Sequence, residues 1–374
     1  MRRNANRGTT RRVRAALGTV VALCAVTVVL PGAASAEPTA GARGAGDRET
    51  SVQRISLAAD GTPADGGSGD ASITPDGRHV VFASAADNLT PDRPQEGDEV
   101  YLRDQRTDEI RRIGYYDPIE PPVISGDGAY LGYPVPWMRD VRIYLWQVRT
   151  GAIGGLDCWP HCGQLSLNGD GHHAVHVVAP KPPASHQRVE FQDVFSGARE
   201  TIAEFDHRRP SRPSLSGDSR HVAYQDGEAG DVFVRDRTDG VTHGPIEGPS
   251  KEATLVQLSE DGGKVVYRSG PDTHVHDVRS GTAQRVPNAR GVAIDPTGRY
   301  LLYAPNDPAD PDQPSLTLRD LSTGTDEIVS RQPASAGVDA VSAHGLDVVF
   351  TSAADDIVPD DTNGTPDVFV RHFH

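Results

Sequence analysis

The chain has 374 residues, with 37 lysine and arginine residues against 52 aspartate and glutamate residues, and a formal net charge of −15. Nucleic acid and anionic membranes are poor partners for an acidic surface of this kind. Cationic partners, or solubility alone, account for the charge.

Residues 1–36 have the layout of a signal peptide. Six arginines fall before an apolar stretch from Ala15 to Leu30, and Ala34 and Ala36 occupy the small-residue positions of a cleavage site. We predict cleavage after Ala36 and export, which would leave a mature chain of charge −21 with no membrane span. An uncleaved anchor is the alternative, because the apolar stretch falls just short of the ~20 residues that cross a bilayer. Export by the Sec or the twin-arginine route stays open.

Residues 37–49 are rich in alanine, glycine, proline and charge. Such a segment cannot bury enough apolar surface to fold, so we predict a disordered linker. The remaining residues, 50–374, are predicted to form a single domain.

A sequence unit recurs seven times along this domain. Each copy has a short strand, a tight turn that usually contains Asp and Gly, an apolar strand, a polar loop and a second apolar strand, as in Asp76-Gly77 followed by Val80 to Phe82. Successive turns lie 36 to 51 residues apart, which is the size of one four-stranded propeller blade. The sequence therefore predicts an all-β, seven-bladed β-propeller. Its repeats span about 66–118, 119–160, 161–207, 208–248, 249–287, 288–331, and 332–374 together with 50–60.

The last repeat lacks an outer strand of its own. The segment from Thr50 to Ser56 resembles the outer strands of other repeats, such as Ile110 to Ile113, and belongs to no repeat. We predict that it pairs with Val368 to Arg371 and completes the last blade. Closure of this kind leaves no unpaired edge between the first and last blades.

The turn Pro75-Asp76-Gly77-Arg78 resembles the Ser-Pro-Asp-Gly repeat of TolB-like, WD-like propeller proteins of secreted bacterial origin. The resemblance covers almost all of the predicted mature chain and implies the fold. It implies no particular activity, because propellers carry many unrelated functions. The sequence contains no Gly-x-Ser-x-Gly nucleophile motif of the kind that accompanies hydrolase propellers.

Cys158 and Cys162 are the only cysteines after the predicted signal peptide. An even number of cysteines in an exported chain indicates a disulfide that clips this loop. Two free thiols are the first alternative. A metal site that includes His161 is the second, although a structural zinc site needs four ligands.

An acidic loop near the C-terminus offers oxygen ligands around Gly364. Calcium uses ligands of this type, which makes it the one cofactor that the sequence indicates. The alternative is a turn that caps the strand beginning at Val368. The candidate ligands are Asp360, Asp361, Asn363 and Asp367.

Three other patterns have both a structural and a functional interpretation. Arg-Asp pairs recur at one position of the repeat, which favours a structural role, since a catalytic site does not need several copies. Two histidines at alternate positions of one strand face the same side and could bind one metal ion together. Three tryptophans cluster near the second repeat and either pack the cysteine loop or stack on a ligand. These residues are Arg103, Asp104, Arg235, Asp236, Arg319, Asp320, His274, His276, Trp137, Trp146 and Trp159.

The leading functional hypothesis is a secreted, monomeric scaffold that binds a protein, a peptide or a cell-envelope ligand on one face of the ring, with no catalytic motif. The alternative is a propeller enzyme, a lyase or hydrolase acting on a glycan or lactone in the central channel with help from calcium. A purely structural envelope protein is the third hypothesis. Converging acidic and histidine side chains in the channel would favour the enzyme.

Overall fold

The computed structural model describes residues 48–91, 97–114, 116–156, 158–179, 187–204, 209–227, 230–306, 314–359, 361 and 363–374. The predicted signal peptide, its cleavage residues Ala34 and Ala36, and the predicted linker up to residue 47 lie outside the described residues. Within these ranges the chain is built from antiparallel β-strands and one short 3-10 helix, Ala343–Gly345. No helix in this part of the chain is long and apolar enough to cross a membrane.

The first complete sheet follows directly after the first strand. We number the sheets in chain order, and the strands of sheet 1 lie side by side in the order in which they occur in the sequence. The turn between its first two strands is fixed by Asp76, whose Oδ1 accepts hydrogen bonds from Thr74 Oγ1 at 2.6 Å and from the Arg78 amide at 3.0 Å. The strands are β1 (Thr50–Arg54), followed in sheet 1 by β2 (Ser68–Ile73), β3 (His79–Ser84), β4 (Glu99–Asp104) and β5 (Glu109–Arg112).

The next eight strands form one hydrogen-bonded sheet with two four-stranded halves. The halves meet only where His161 pairs with Val141 in parallel orientation, and we treat them as sheets 2 and 3. Sheet 2 contains β6 (Val123–Ile124), β7 (Tyr130–Trp137), β8 (Asp140–Gln147) and β9 (Ile153–Gly155). Sheet 3 contains β10 (His161–Leu167), β11 (His173–Ala179), β12 (Arg188–Asp193) and β13 (Arg199–Glu204).

Sheets 4, 5 and 6 repeat the four-stranded antiparallel pattern. Sheet 4 contains β14 (Pro210–Leu215), β15 (His221–Asp226), β16 (Asp231–Asp236) and β17 (Val241–Ile246). Sheet 5 contains β18 (Thr254–Leu258), β19 (Lys264–Ser269), β20 (Asp272–Asp277) and β21 (Ala283–Val286). Sheet 6 contains β22 (Ala289–Ile294), β23 (Tyr300–Pro305), β24 (Leu316–Asp320) and β25 (Asp326–Ser330).

Sheet 7 combines the two ends of the domain. Its strands β26 (Asp347–Ser352) and β27 (Asp367–Phe373) pair with each other, and β1 pairs antiparallel with β27 from Thr50 opposite Phe373 to Arg54 opposite Phe369. On the other side of β26, bridges join Ser335 to Thr351 and Val341 to Val348. The segment around Val341 thus takes the place that a first strand has in the other sheets.

Each sheet presents two ends, which we call the entry face and the turn face. The entry face carries the start of the first and third strands and the end of the second and fourth, whereas the turn face carries the Asp-Gly turns. The first strands are bulged near the entry face, as at Gly163 to Ser166 in β10 and Ser211 to Ser214 in β14. A bulge inserts one extra residue and re-aims its side chain.

Neighbouring sheets interlock on the turn face. The turn glycine of one sheet receives the first side chain of the second strand of the sheet before it. Gly171 of sheet 3 lies under Tyr130 of sheet 2, and Gly77 of sheet 1 lies against Asp347 of sheet 7. A side chain at Gly171 would collide with the stem of Tyr130, so glycine is required there by space as well as by its positive φ; at Gly77 the contact is with the terminal carboxylate of Asp347.

The hydrophobic core is divided among the interfaces between neighbouring sheets. One cluster joins Val81 and Leu102 of sheet 1 to Leu131 and Trp146 of sheet 2. The largest cluster combines residues of sheets 6, 7 and 1, with Phe82, Leu302 and Phe350 among its members. Valine and isoleucine dominate these strands because β-branched side chains pack well on a pleated surface.

Candidate ligand site at the central cavity

A central cavity lies where the first strands of all the sheets come together. Its lining includes residues of β2, β6, β10, β14, β18 and β22, together with Asp339 and Val341 of sheet 7. Asp339 and Glu260 are the two carboxylates in this lining. A concave site with a few converging polar groups is the usual form of a ligand site.

Glu260 occupies the turn-face end of the cavity. Its position in the repeat, just before the Asp of the turn, is held by glycine in three consecutive sheets, and a Cβ at Gly126, Gly169 or Gly217 would collide with or crowd the Glu260 side chain. Burial and the negative charge of Asp339 raise the pKa of Glu260 to about 7. The cavity therefore contains a carboxyl group that exchanges a proton near neutral pH.

Asp339 contributes the second carboxylate of the cavity. Gln257 Nε2 donates a hydrogen bond to Asp339 Oδ1 at 2.5 Å, which ties sheet 5 to sheet 7 across the lining. Burial raises the pKa of Asp339 to about 6. The residue adopts φ 57°, and Asp70, Gln164 and Arg212 in the bulged first strands adopt φ values of 51°, 53° and 52°.

Three arginines of consecutive sheets gather at the entry face, and we call them the arginine wall: Arg212, Arg268 and Arg290. Burial and the positive charges of Arg212 and Arg290 lower the pKa of Arg268. The buried Nε atom of Arg268 has no hydrogen-bond partner in the described ranges. None of the three guanidinium groups forms an ion pair with a carboxylate of the described residues.

Glu120, Asp70 and Asp339 are acidic side chains near the entry face. Glu120 lies just before β6, and its Oε2 accepts a hydrogen bond from the backbone N–H of Gln164 at 2.5 Å. Burial raises the pKa of Glu120. Asp70 lies in the bulge of β2 and, with Asp339, lines a second pocket on the entry side of sheets 7, 1 and 2. The wall arginines thus come from sheets 4 to 6, whereas these three carboxylates come from sheets 7, 1 and 2.

Four aromatic residues and one methionine surround the entry end of sheet 2; Tyr116, Met138 and Trp159 are exposed, and Trp137 and Tyr144 are partly buried. We call these five residues the aromatic platform. The Tyr116 and Tyr144 rings stack with centroids 5.5 Å apart, and Trp137 meets Tyr144 edge-on at 6.1 Å. Trp159 Nε1 donates to Asp140 Oδ2 at 3.2 Å. The third tryptophan of the sequence cluster, Trp146, is buried against Tyr133.

The predicted calcium loop contacts the N-terminal strand. Arg54 Nη2 lies 3.1 Å from Asp361 Oδ2, and Arg54 Nε lies 3.7 Å from Asp367 Oδ2. Asp367 Oδ1 accepts a hydrogen bond from Ser56 Oγ at 2.5 Å, and Asn363 Nδ2 donates to Asp367 Oδ2 at 3.0 Å. The fourth candidate ligand, Asp360, lies outside the described residues, so the calcium loop stays a prediction.

The predicted disulfide between Cys158 and Cys162 is confirmed. Both cysteines are buried, and they belong to the hydrophobic cluster between sheets 2 and 3. The exposed Trp159 between them stands out from this loop into solvent.

The repeated aspartates that end the third strands form ion pairs within their own sheets. Asp104 binds Arg78, Asp236 binds Arg220 at 2.7 Å, and Asp320 binds the equivalent arginine of sheet 6. The bound guanidinium holds the pKa of each of these carboxyls well below its usual range. The arginines of the repeated pairs have other partners, with Arg103 bound to Asp108 and Arg319 to Asp326.

The two alternating histidines lie on β20. His274 is buried and stacks on Tyr267 with ring centroids 5.2 Å apart. Among the described residues, no group of three or more His, Cys, Asp or Glu side chains is arranged to hold a metal ion.

Sequence reasoning overlooked the arginine wall and Glu260. Glu260 could have been found, because it is the one charged residue at its position in the seven turns, where the other copies have Pro75, Gly126, Gly169, Gly217, Pro296 and Ala343. The wall could not, because its members occupy different positions in three repeats and only the packing of sheets 4 to 6 brings them together.

Comparison with known proteins gives a structural relationship and no sequence family. No family model matches the chain, and no curated protein matches it. Among solved structures, an oligogalacturonate lyase in complex with manganese superposes with a TM-score of 0.62 at 16% identity, covering 88% of this chain and 98% of that one. An oligogalacturonate lyase from Vibrio parahaemolyticus gives 0.62 at 13% identity, covering 87% and 98%.

TolB from Acinetobacter baumannii matches with a TM-score of 0.48 at 15% identity, covering 71% of this chain and 64% of that one. At such identities a structural likeness defines the fold alone. The fold is that of a β-propeller, in agreement with the resemblance found in the sequence.

Proposed function

We propose that the chain is a secreted, monomeric, seven-bladed propeller that binds an anionic ligand on its entry face. Sheets 1 to 7 are the blades, and β1 closes the ring. Hydrogen bonds between neighbouring turns support this arrangement, with Gly169 N donating to Gly217 O at 3.0 Å, Gly217 N to Glu260 O at 2.7 Å, and Ala343 N of the last blade to Pro75 O of the first at 2.8 Å.

The observation that carries the binding function is the unpaired state of the arginine wall. Arginine side chains that gather without carboxylates repel one another, and partial burial strengthens the repulsion. Arg268 bears this cost most clearly, because its Nε is buried without an acceptor among the described residues. An oxyanion on the ligand would supply the missing negative charge, and guanidinium groups bind carboxylates with two parallel hydrogen bonds.

The test is equilibrium binding of labelled poly-L-glutamate to the mature protein, followed by fluorescence anisotropy at low salt. We expect Arg268→Gln to weaken binding roughly tenfold, the effect of losing about 1.4 kcal/mol. Arg220→Gln is the matched control, because Arg220 is paired with Asp236 on the turn face. Equal affinities of the Arg268→Gln variant and the wild type, or no binding by the wild type, would refute the proposal.

A glycan-directed lyase or hydrolase is the second candidate, and Glu260 favours it. A carboxyl group whose pKa is about 7 suits general acid or base catalysis at neutral pH. The manganese of one structural relative has no matching ligand set among the described residues, so we assign no metal step. Incubation with oligogalacturonate tests this candidate: a lyase would release unsaturated product by elimination, followed by absorbance, and a hydrolase would release saturated reducing ends. Turnover that Glu260→Gln abolishes would establish it.

Calcium at the C-terminal loop is a separate proposal. The loop holds Asp361 and Asp367 beside Arg54, whose charge already compensates much of their negative charge. Calcium would have to bind on the side of the loop that Arg54 leaves open. The metal content of the purified mature protein, with and without chelator, tests this proposal, and a metal-free protein of unchanged thermal stability would reject it.

A further inference from the structure

The aromatic platform exposes apolar surface in an unusual concentration. Met138 is 95% exposed, Trp159 61% and Tyr116 40%. Scattered exposed apolar residues are normal, whereas a contiguous patch marks an interaction site. Tyr116 lies in the segment before sheet 2, Met138 in the β7–β8 hairpin and Trp159 in the loop after sheet 2, so three segments contribute to this surface.

The platform is rigid because it continues the core of its sheet. Tyr133 and Trp146 are buried and stack with ring centroids 4.6 Å apart. Tyr144 lies two residues before Trp146 and therefore on the same side of β8. Strands β7 and β8 have eight residues each, compared with six in β3 and β4, and so carry this row of rings outward from the core. Its outer rings are held in place before any ligand arrives.

Positive charge borders the platform. The Arg142 guanidinium lies 5.3 Å from the centre of the Trp137 ring, and the exposed Arg139 stands at the tip of the hairpin. Between the platform and the central cavity, the chain passes from Tyr116 through the exposed Ile119 to Glu120, next to Gln164. The platform and the arginine wall both lie on the entry face, the platform around sheet 2 and the wall in sheets 4 to 6.

We infer that the platform is a subsite for sugar rings, and that the anionic ligand is a carboxylated oligosaccharide lying across the entry face. This inference rests on the proposed anion binding. A sugar ring has an apolar C–H face that fits a fixed aromatic ring and a polar edge that fits arginine and aspartate at the border. Its carboxylates would reach the arginine wall, which a neutral sugar would leave unpaired.

The experiment compares three probes by isothermal titration calorimetry: an oligogalacturonate of defined length, poly-L-glutamate of equal charge, and a neutral cello-oligosaccharide. Trp159→Ala is the test variant, since its exposed side chain supports no core. Phe195→Ala is the matched control, because Phe195 is 62% exposed but lies in the turn that follows β12 on the turn face. Light scattering of each variant records its oligomeric state.

We expect Trp159→Ala to weaken oligogalacturonate binding about fivefold to tenfold, in line with the energy of one aromatic contact. It should leave poly-L-glutamate binding unchanged, and Phe195→Ala should alter neither. The inference is wrong if Trp159→Ala weakens both anions equally or neither, or if its only effect is to dissociate a dimer. Loss of binding of both anions in Arg268→Gln, with an effect of Trp159→Ala on the sugar alone, supports both proposals. If Arg268→Gln leaves the affinity for oligogalacturonate unchanged, the anion site is refuted and the sugar subsite stands.

Discussion

Substitution of Gly171 by alanine should break one contact between neighbouring blades. Gly171 has a φ of 69°, and the position that its Cβ would occupy lies 2.7 Å from both Cβ and Cδ2 of Tyr130. Cβ belongs to the stem of the Tyr130 side chain and cannot swing away without moving strand β7. The substitution therefore strains the backbone at residue 171 and also overpacks the interface between sheets 2 and 3.

The two costs can be separated within sheet 3. Gly197 has a φ of 71°, but nothing lies within 4 Å of the position that a Cβ would take there. Gly197→Ala should therefore lose only the left-handed backbone preference, about 1 kcal/mol. Gly171→Ala should lose the same amount and about 1–3 kcal/mol more from overpacking.

Urea unfolding monitored by tryptophan fluorescence measures both variants, with the free energy of unfolding taken from the midpoint and slope. We expect Gly171→Ala to be the less stable variant by about 1–3 kcal/mol at an unchanged slope. Equal losses of unfolding free energy in the two variants would show that the contact between Tyr130 and Gly171 does not stabilise the packing of neighbouring sheets. The claim that their turns interlock would then be wrong.

Three further predictions concern charged residues. Asp236→Asn should lower the free energy of unfolding by about 1–2 kcal/mol at pH 7. Because Arg220 lowers the pKa of Asp236, this difference from wild type should shrink only as the pH falls below about 3.9. Glu260→Gln should be about 1–2 kcal/mol more stable than wild type at pH 8 and equal to it near pH 4, since the raised pKa of Glu260 makes its ionisation costly in the folded state. Arg54→Ala should lose about 3–5 kcal/mol, because it leaves two carboxylates of the C-terminal loop without their buried cation. Chemical denaturation at the stated pH values measures all three.

Local sequence signals defined much of the fold. The Asp-Gly turns reveal the strand pairs because the aspartate and the following glycine fix each turn by themselves, as Asp76 and Gly77 do in sheet 1. The disulfide followed from two cysteines in a chain predicted to be exported. The pairing of β1 with β27 could be anticipated because the last repeat lacked an outer strand and Thr50 to Arg54 had no repeat of its own.

The candidate site was harder to predict because it is a product of packing. Arg268 lies near the end of a second strand, whereas Arg212 and Arg290 lie near the start of first strands, and no spacing in the sequence connects them. The tryptophan cluster was visible, but its division into a buried Trp146 on β8 and an exposed Trp159 in the loop between the two cysteines was not. Asp361 and Asp367 pair with Arg54, which lies near the start of the domain's sequence. A local acidic motif gives no sign of this pairing.

A crystal structure of the mature chain with a bound oligogalacturonate of defined length would test the proposed ring and its ligand site together. We expect seven blades closed by β1, with a ligand carboxylate hydrogen-bonded to Arg268 and a sugar ring stacked on Trp159. A different number of blades, or a ligand bound elsewhere while Arg268 faces only protein and solvent, would contradict the proposed function.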